Sequence, residues 1–120
     1  MKADVLARDY DGKTPLHLAA EGSILNAVTT CLNYGAEVNN VDNDNHTALH
    51  LAAYRRDIDV MKKLLDFKAD VNARDNSGLT PLDFAAENGH FNVVKICLKY
   101  DADVNMVNNF NSPSPCNRSL

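Results

Sequence analysis

The sequence predicts an all-α solenoid: three helix-turn-helix repeats stacked side by side. Three observations carry this. A heptad occurs three times at a spacing of 33 residues, as Thr14-Pro15-Leu16-His17-Leu18-Ala19-Ala20, Thr47-Ala48-Leu49-His50-Leu51-Ala52-Ala53 and Thr80-Pro81-Leu82-Asp83-Phe84-Ala85-Ala86. A second phrase recurs in phase with it, as Ala36-Glu37-Val38-Asn39, Ala69-Asp70-Val71-Asn72 and Ala102-Asp103-Val104-Asn105. Between the two phrases, apolar residues fall at helical spacing. Self-similarity at a fixed period marks a stacked repeat, in which each unit buries its apolar face against a neighbour.

Each unit reads in the same order. A polar turn comes first, at Asp9-Tyr10-Asp11-Gly12-Lys13, Asp42-Asn43-Asp44-Asn45-His46 and Asp75-Asn76-Ser77-Gly78-Leu79. The aligned column Gly12, Asn45, Gly78 holds the residues that most easily take positive φ, as a tight hairpin tip requires. Thr14, Thr47 and Thr80 then stand where a helix N-cap belongs, and Pro15 and Pro81 occupy the first helical position, where a missing N–H does no harm. The inner helix that follows should run about eight residues, too short to persist alone in water and therefore held by packing. Its alanine pairs keep it thin, so that neighbours approach closely.

Outer helices are expected over 24–33, 57–66 and 90–99. Their apolar stripes are Leu25, Val28, Cys31, Leu32, then Ile58, Met61, Leu64, Leu65, then Phe91, Val94, Cys97, Leu98, a spacing that argues helix over strand. Asp59, Lys62 and Lys63 should face water. The resulting division is residues 1–8 as the end of a preceding partial repeat, repeats at 9–41, 42–74 and 75–107, and 108–120 as an aborted fourth tip with a disordered, proline-interrupted tail.

Composition narrows the function. The formal net charge of the 120-residue chain is −4, against a phosphate-binding surface and so against nucleic acid as partner. No apolar run is long enough to span a membrane, and Met1-Lys2-Ala3-Asp4 lacks the apolar region of a signal peptide. Cys31 and Cys97 hold the same place two repeats apart. Packed helices sit about 8–10 Å from each other, so the two thiols lie well beyond the roughly 7 Å Cα separation that a disulfide permits. They read as small core hydrophobes of a reducing compartment, with Cys116 in the tail. No nucleophile–base pair, carboxylate pair or phosphate-cradling glycine loop stands out, and thiols in a core are inert. The chain therefore reads as not an enzyme, with no cofactor and no metal.

The two phrases together resemble the ankyrin-repeat family, over roughly residues 3–110. The family's unit is a β-hairpin tip, two short antiparallel helices and a return loop. It usually carries glycine between the helices, as at Gly89, where Ser23 and Arg56 stand in the other copies. It usually carries another after the outer helix, as at Gly35, where Lys68 and Asp101 stand. Replacements at positive φ cost about 1 kcal/mol each. The resemblance implies a structural role for His17 and His50, hydrogen-bonding the adjacent loop backbone, with Asp83 keeping part of it. His46 and His90 read as exposed surface.

The resemblance also implies a function: a partner protein bound on a concave face made of tips and inner helices. Carried over position by position, that face offers Tyr10, Asp11, Lys13, Glu21, Asn43, Asp44, His46, Tyr54, Arg55, Arg74, Asn76, Ser77, Leu79, Glu87 and Asn88. Arg8 and Val41 match Arg74. Because aromatic and arginine residues dominate binding hot spots, Tyr54 and Arg55 lead, followed by Tyr10 and Arg74. Leu79 reads as an exposed apolar residue beside Tyr54. In some family members the asparagine of the second phrase is hydroxylated. Asn72, with Leu64 eight residues before it, resembles the preferred context; Asn39 and Asn105 have cysteine there. The chain is expected to be a monomer or a segment of a longer array, in the cytoplasm or the nucleus.

Overall fold

The computed structural model describes residues 7–108, with their side chains through Tyr100. The N-terminal stub up to residue 6, the expected fourth tip and the tail with Cys116 lie outside the described residues. Six helices follow one another: α1 (Pro15–Glu21), α2 (Leu25–Asn33), α3 (Ala48–Arg55), α4 (Ile58–Asp66), α5 (Pro81–Asn88) and α6 (Phe91–Asn108). They pack in pairs, α1 on α2, α3 on α4 and α5 on α6. The pairs then stack, with α1, α3 and α5 forming an inner layer and α2, α4 and α6 an outer one.

The threonines begin the inner helices as expected. In each, the hydroxyl accepts from the backbone N–H three residues on, and the side chain there, His17, His50 or Asp83, reaches back to the threonine N–H. This reciprocal capping box satisfies two otherwise orphaned donors. The alanines do what thin helices require: Ala20, Ala52, Ala53 and Ala85 are fully buried between layers. The core runs through all three pairs, from Leu16, Val28 and Leu32 through Leu49, Val60, Met61 and Leu64 to Val93 and Cys97.

Four non-glycine residues sit at positive φ, namely Ser23, Asn45, Arg56 and Lys68. Three of these are departures from glycine noted in the sequence; the backbone keeps the left-handed turn in spite of them. The fourth departure behaves otherwise. At the place where Gly35 and Lys68 turn the chain out of α2 and α4, Asp101 lies inside α6, which runs on to Asn108. The outer helix expected to stop at residue 99 is therefore 18 residues long, and the phrase Ala102-Asp103-Val104-Asn105 is helical. The first return loop is clasped by the second, where Asn39 donates to the Lys68 carbonyl at 3.3 Å and accepts from the Asp70 N–H at 2.8 Å. Among the described residues nothing downstream clasps a third loop, and continuing the helix avoids the strain of an aspartate at positive φ.

The third outer stripe also shifts. Phe91 and Leu98, expected in the core, are 79% and 51% exposed, while Val93, Ile96 and Cys97 are buried. The counterparts of Leu98, namely Leu32 and Leu65, are buried where a following pair covers them, whereas those of Phe91 are the half-buried Ile58 and the exposed Leu25, also expected in the core. Asp59 and Lys62 face water and Lys63 is half-buried.

Candidate functional site

The three tips repeat one hydrogen-bonded design. The Oδ1 of Asp9, Asp42 and Asp75 each accepts two backbone N–H groups, from the residues two and four positions on. The first residue of each tip also donates to the carbonyl of the fifth, at 3.0 Å in all three. No strand is assigned among the described residues; the tips are closed turns. Successive tips are joined, since Asn43 N–H donates to the Asp11 carbonyl at 2.9 Å and Asn76 N–H to the Asp44 carbonyl at 3.0 Å.

The histidines of the first two heptads tie the second and third tips to the helix before each. His17 Nε2 donates to the His46 carbonyl and His50 Nε2 to the Leu79 carbonyl, both at 2.8 Å. A carbonyl can only accept, so Nε2 carries the proton and Nδ1 is left to accept from the threonine N–H, at 3.2 and 3.1 Å. Burial pushes both imidazoles below their ordinary pKa, against the hydrogen bonds to those carbonyls. Neither histidine is available to a ligand. Asp83 accepts from Thr80 N–H at 3.2 Å, which preserves the cap.

Beneath the second and third tips lies a groove of about 290 Å³ lined by Lys13, Glu21, Asp42, Asp44, His46, His50, Leu51, Tyr54, Asp75 and Phe84. Its floor is the Tyr54–Phe84 pair, ring centroids 5.2 Å apart at 46°. His46 stands in its wall, half-buried rather than fully exposed, with Nε2 3.2 Å from Asp75 Oδ2 and Nδ1 3.7 Å from Asp42 Oδ2. Lys13 pairs with Glu21 at 3.0 Å, and that hydrogen bond raises its pKa. Burial pushes Asp75 up, but donation from the Leu79 and Ser77 N–H groups, with the nearby histidines, outweighs it and holds the carboxyl below its ordinary value. One metal-ligating atom each from Asp42, Asp44 and His46 lies within 4.8 Å of the others, yet Asp42 Oδ1 already accepts from two N–H groups.

Of the residues expected to meet a partner, Lys13, Glu21, Asp44, His46 and Tyr54 converge on this groove. Tyr10, Asp11, Ser77, Arg55, Glu87 and Asn88 are exposed and are not among the groove's lining residues. Arg74 holds its own tip, donating to the Gly78 carbonyl at 3.0 Å. Arg8 does the same at Gly12 and reaches the Val41 carbonyl of the next repeat. Leu79, expected to be exposed beside Tyr54, is half-buried, and the ring against Tyr54 is Phe84 instead. His90, also expected at the surface, is half-buried. Asp42, Asp75, Leu51 and Phe84 were missed as lining residues. The available signal was the aromatic at 84 where the other heptads have leucine.

No curated protein matches the chain. No helix among the described residues is long and apolar enough to cross a membrane. A family model described as ankyrin repeats, in three copies, matches residues 22–108. With the paired helices, the capped heptads and the linked tips, that match places the chain in the ankyrin-repeat family.

Proposed function

We propose that the chain is a non-enzymatic module that binds a partner protein on the face formed by its tips and inner helices. The observation that carries this reading is Tyr54. It is 61% exposed, yet its ring rests on Phe84, so a large amphipathic side chain is already ordered and binding it costs little further entropy. The flanks of the helix pairs are used by stacking on one another, which leaves the tips and the open side of the inner layer free to meet a partner. Around Tyr54 stand Tyr10, Asp11, Lys13, Asp44, His46, Arg55, Arg74, Ser77, Leu79, Glu87 and Asn88 as the proposed contact set. The double substitution Tyr54→Ala with Arg55→Ala is expected to weaken a captured partner at least about tenfold, as loss of a hot spot does, with the unfolding midpoint nearly unchanged. Unchanged affinity would remove this placement.

A second reading is favoured by Leu98, which is exposed on α6 at the place where Leu32 and Leu65 are buried, and so offers surface on which a further repeat would stack. The chain would then be a spacer or regulatory segment of a longer array, which the length of the natural transcript tests. The buried Cys97 and half-buried Cys31 suit a reducing compartment, cytoplasmic or nuclear. Asn72 is exposed on its return loop and is proposed as a hydroxylation site. Absence of a single added oxygen on its peptide from animal cells would remove that assignment.

A further inference from the structure

We propose that the groove under the second and third tips receives an arginine side chain of the partner. The inference rests on the module reading above and adds what the partner must present. Four carboxylates line the groove, from Glu21, Asp42, Asp44 and Asp75. The one lysine there is held by Glu21 at 3.0 Å, so its charge is already matched and the three aspartates dominate the field. An anion is repelled from such a wall, whereas a cation is drawn to it.

The floor chooses among cations. Tyr54 and Phe84 line it as a tilted ring pair, and Leu51 adds apolar surface. A guanidinium is planar and weakly hydrated, stacks on aromatic faces and forks onto a carboxylate; an ammonium does neither of the last two well. The carboxylate best placed to receive the fork is Asp44, which is exposed at the mouth. Asp42 and Asp75 each commit Oδ1 to two backbone N–H groups, and Asp75 Oδ2 faces His46. These two contribute field rather than a free fork. The volume of about 290 Å³ takes one long side chain and not a folded segment. A bare metal ion fits less well, because Asp42 Oδ1 is engaged and both ring nitrogens of His46 already face carboxylates.

The test uses the full chain, labelled with 15N, titrated with N-acetyl-arginine methylamide and separately with its uncharged isostere N-acetyl-citrulline methylamide. The arginine probe is expected to shift amides at Asp44, His46, Tyr54, Asp75 and Phe84 saturably, and the citrulline probe not to. Asp44→Asn and Tyr54→Ala should each weaken the arginine response about threefold, as an exposed ion pair or cation–π contact contributes, with unchanged thermal unfolding showing that the fold is intact. An equal response to citrulline overturns the proposal. So does a response spread evenly to Asp59 and Asp66 on the outer helix. A probe that fails while a partner remains sensitive to Tyr54→Ala with Arg55→Ala removes the pocket alone. A probe that binds while the partner ignores that double substitution removes the placement of the partner and keeps the pocket.

Discussion

Gly12 and Gly78 hold the same place in their tips, at φ 79° and 81°, yet they do different things. A Cβ on Gly12 would lie 2.9 Å from the backbone nitrogen of Asn43, because the next tip rests against it; around Gly78 there is nothing within 4 Å. Gly78→Ala should therefore cost only the left-handed conformation, roughly 1 kcal/mol. Gly12→Ala should add overpacking of about 1–3 kcal/mol, since backbone cannot swing away as a side chain can. Urea denaturation of the two variants checks this; equal losses would mean that the tips do not bear on each other. Arg56 and Lys68 mark the opposite case, side chains tolerated at φ 58° and 73°. Those sites were legible in the sequence as missing glycines, because one residue type answers to one backbone demand.

At the scale of the element, the inner helix is a device for holding the following tip. Thr47 caps it, His50 completes the cap and His50 Nε2 clips the Leu79 carbonyl. The clip requires a neutral imidazole, since protonated Nδ1 would point a donor at the Thr47 N–H. Folded His17 and His50 bind a proton less readily than in the unfolded chain, where histidine titrates near about 6.5. Unfolding therefore takes up protons below that pH. The stability these residues contribute is complete above it and is lost as pH falls toward the lowered folded values. The wild-type chain should lose stability between pH 7 and pH 5. His17→Asn with His50→Asn should be weaker at pH 7 and flatter over that range; His46 and Asp75 remain in both chains, so the difference isolates the two clips. Denaturation midpoints across pH measure it, and parallel curves would contradict it. The heptad made this element readable. The length of α6 was not readable, because whether Asp101 turns the chain depends on whether another loop clasps it, and that is a tertiary fact.

For the whole molecule, five of the six helices were legible to within a residue or two, since both the caps and the alanine pairs are local chemistry repeated in phase. The groove was legible only in part. Asp42 and Asp75 read as turn formers, which they are through Oδ1; that their second oxygens face one cavity follows from stacking the tips. Phe84 reads only as a member of the third heptad, and its pairing with Tyr54 needs two repeats to meet. The same stacking bears on where the proposed binding face lies. Outer and inner helices use their flanks against neighbours, which leaves the tips, the open side of the inner layer and the outward side of the outer helices; the proposal takes the first two. The most direct measurement places a photo-activated cross-linking residue at Ser77, exposed on the third tip, and in a second chain at Lys62, exposed on the outer helix α4. The partner should be trapped from Ser77 and not from Lys62. Trapping from Lys62 alone would put recognition on the opposite side of the stack and contradict the assignment.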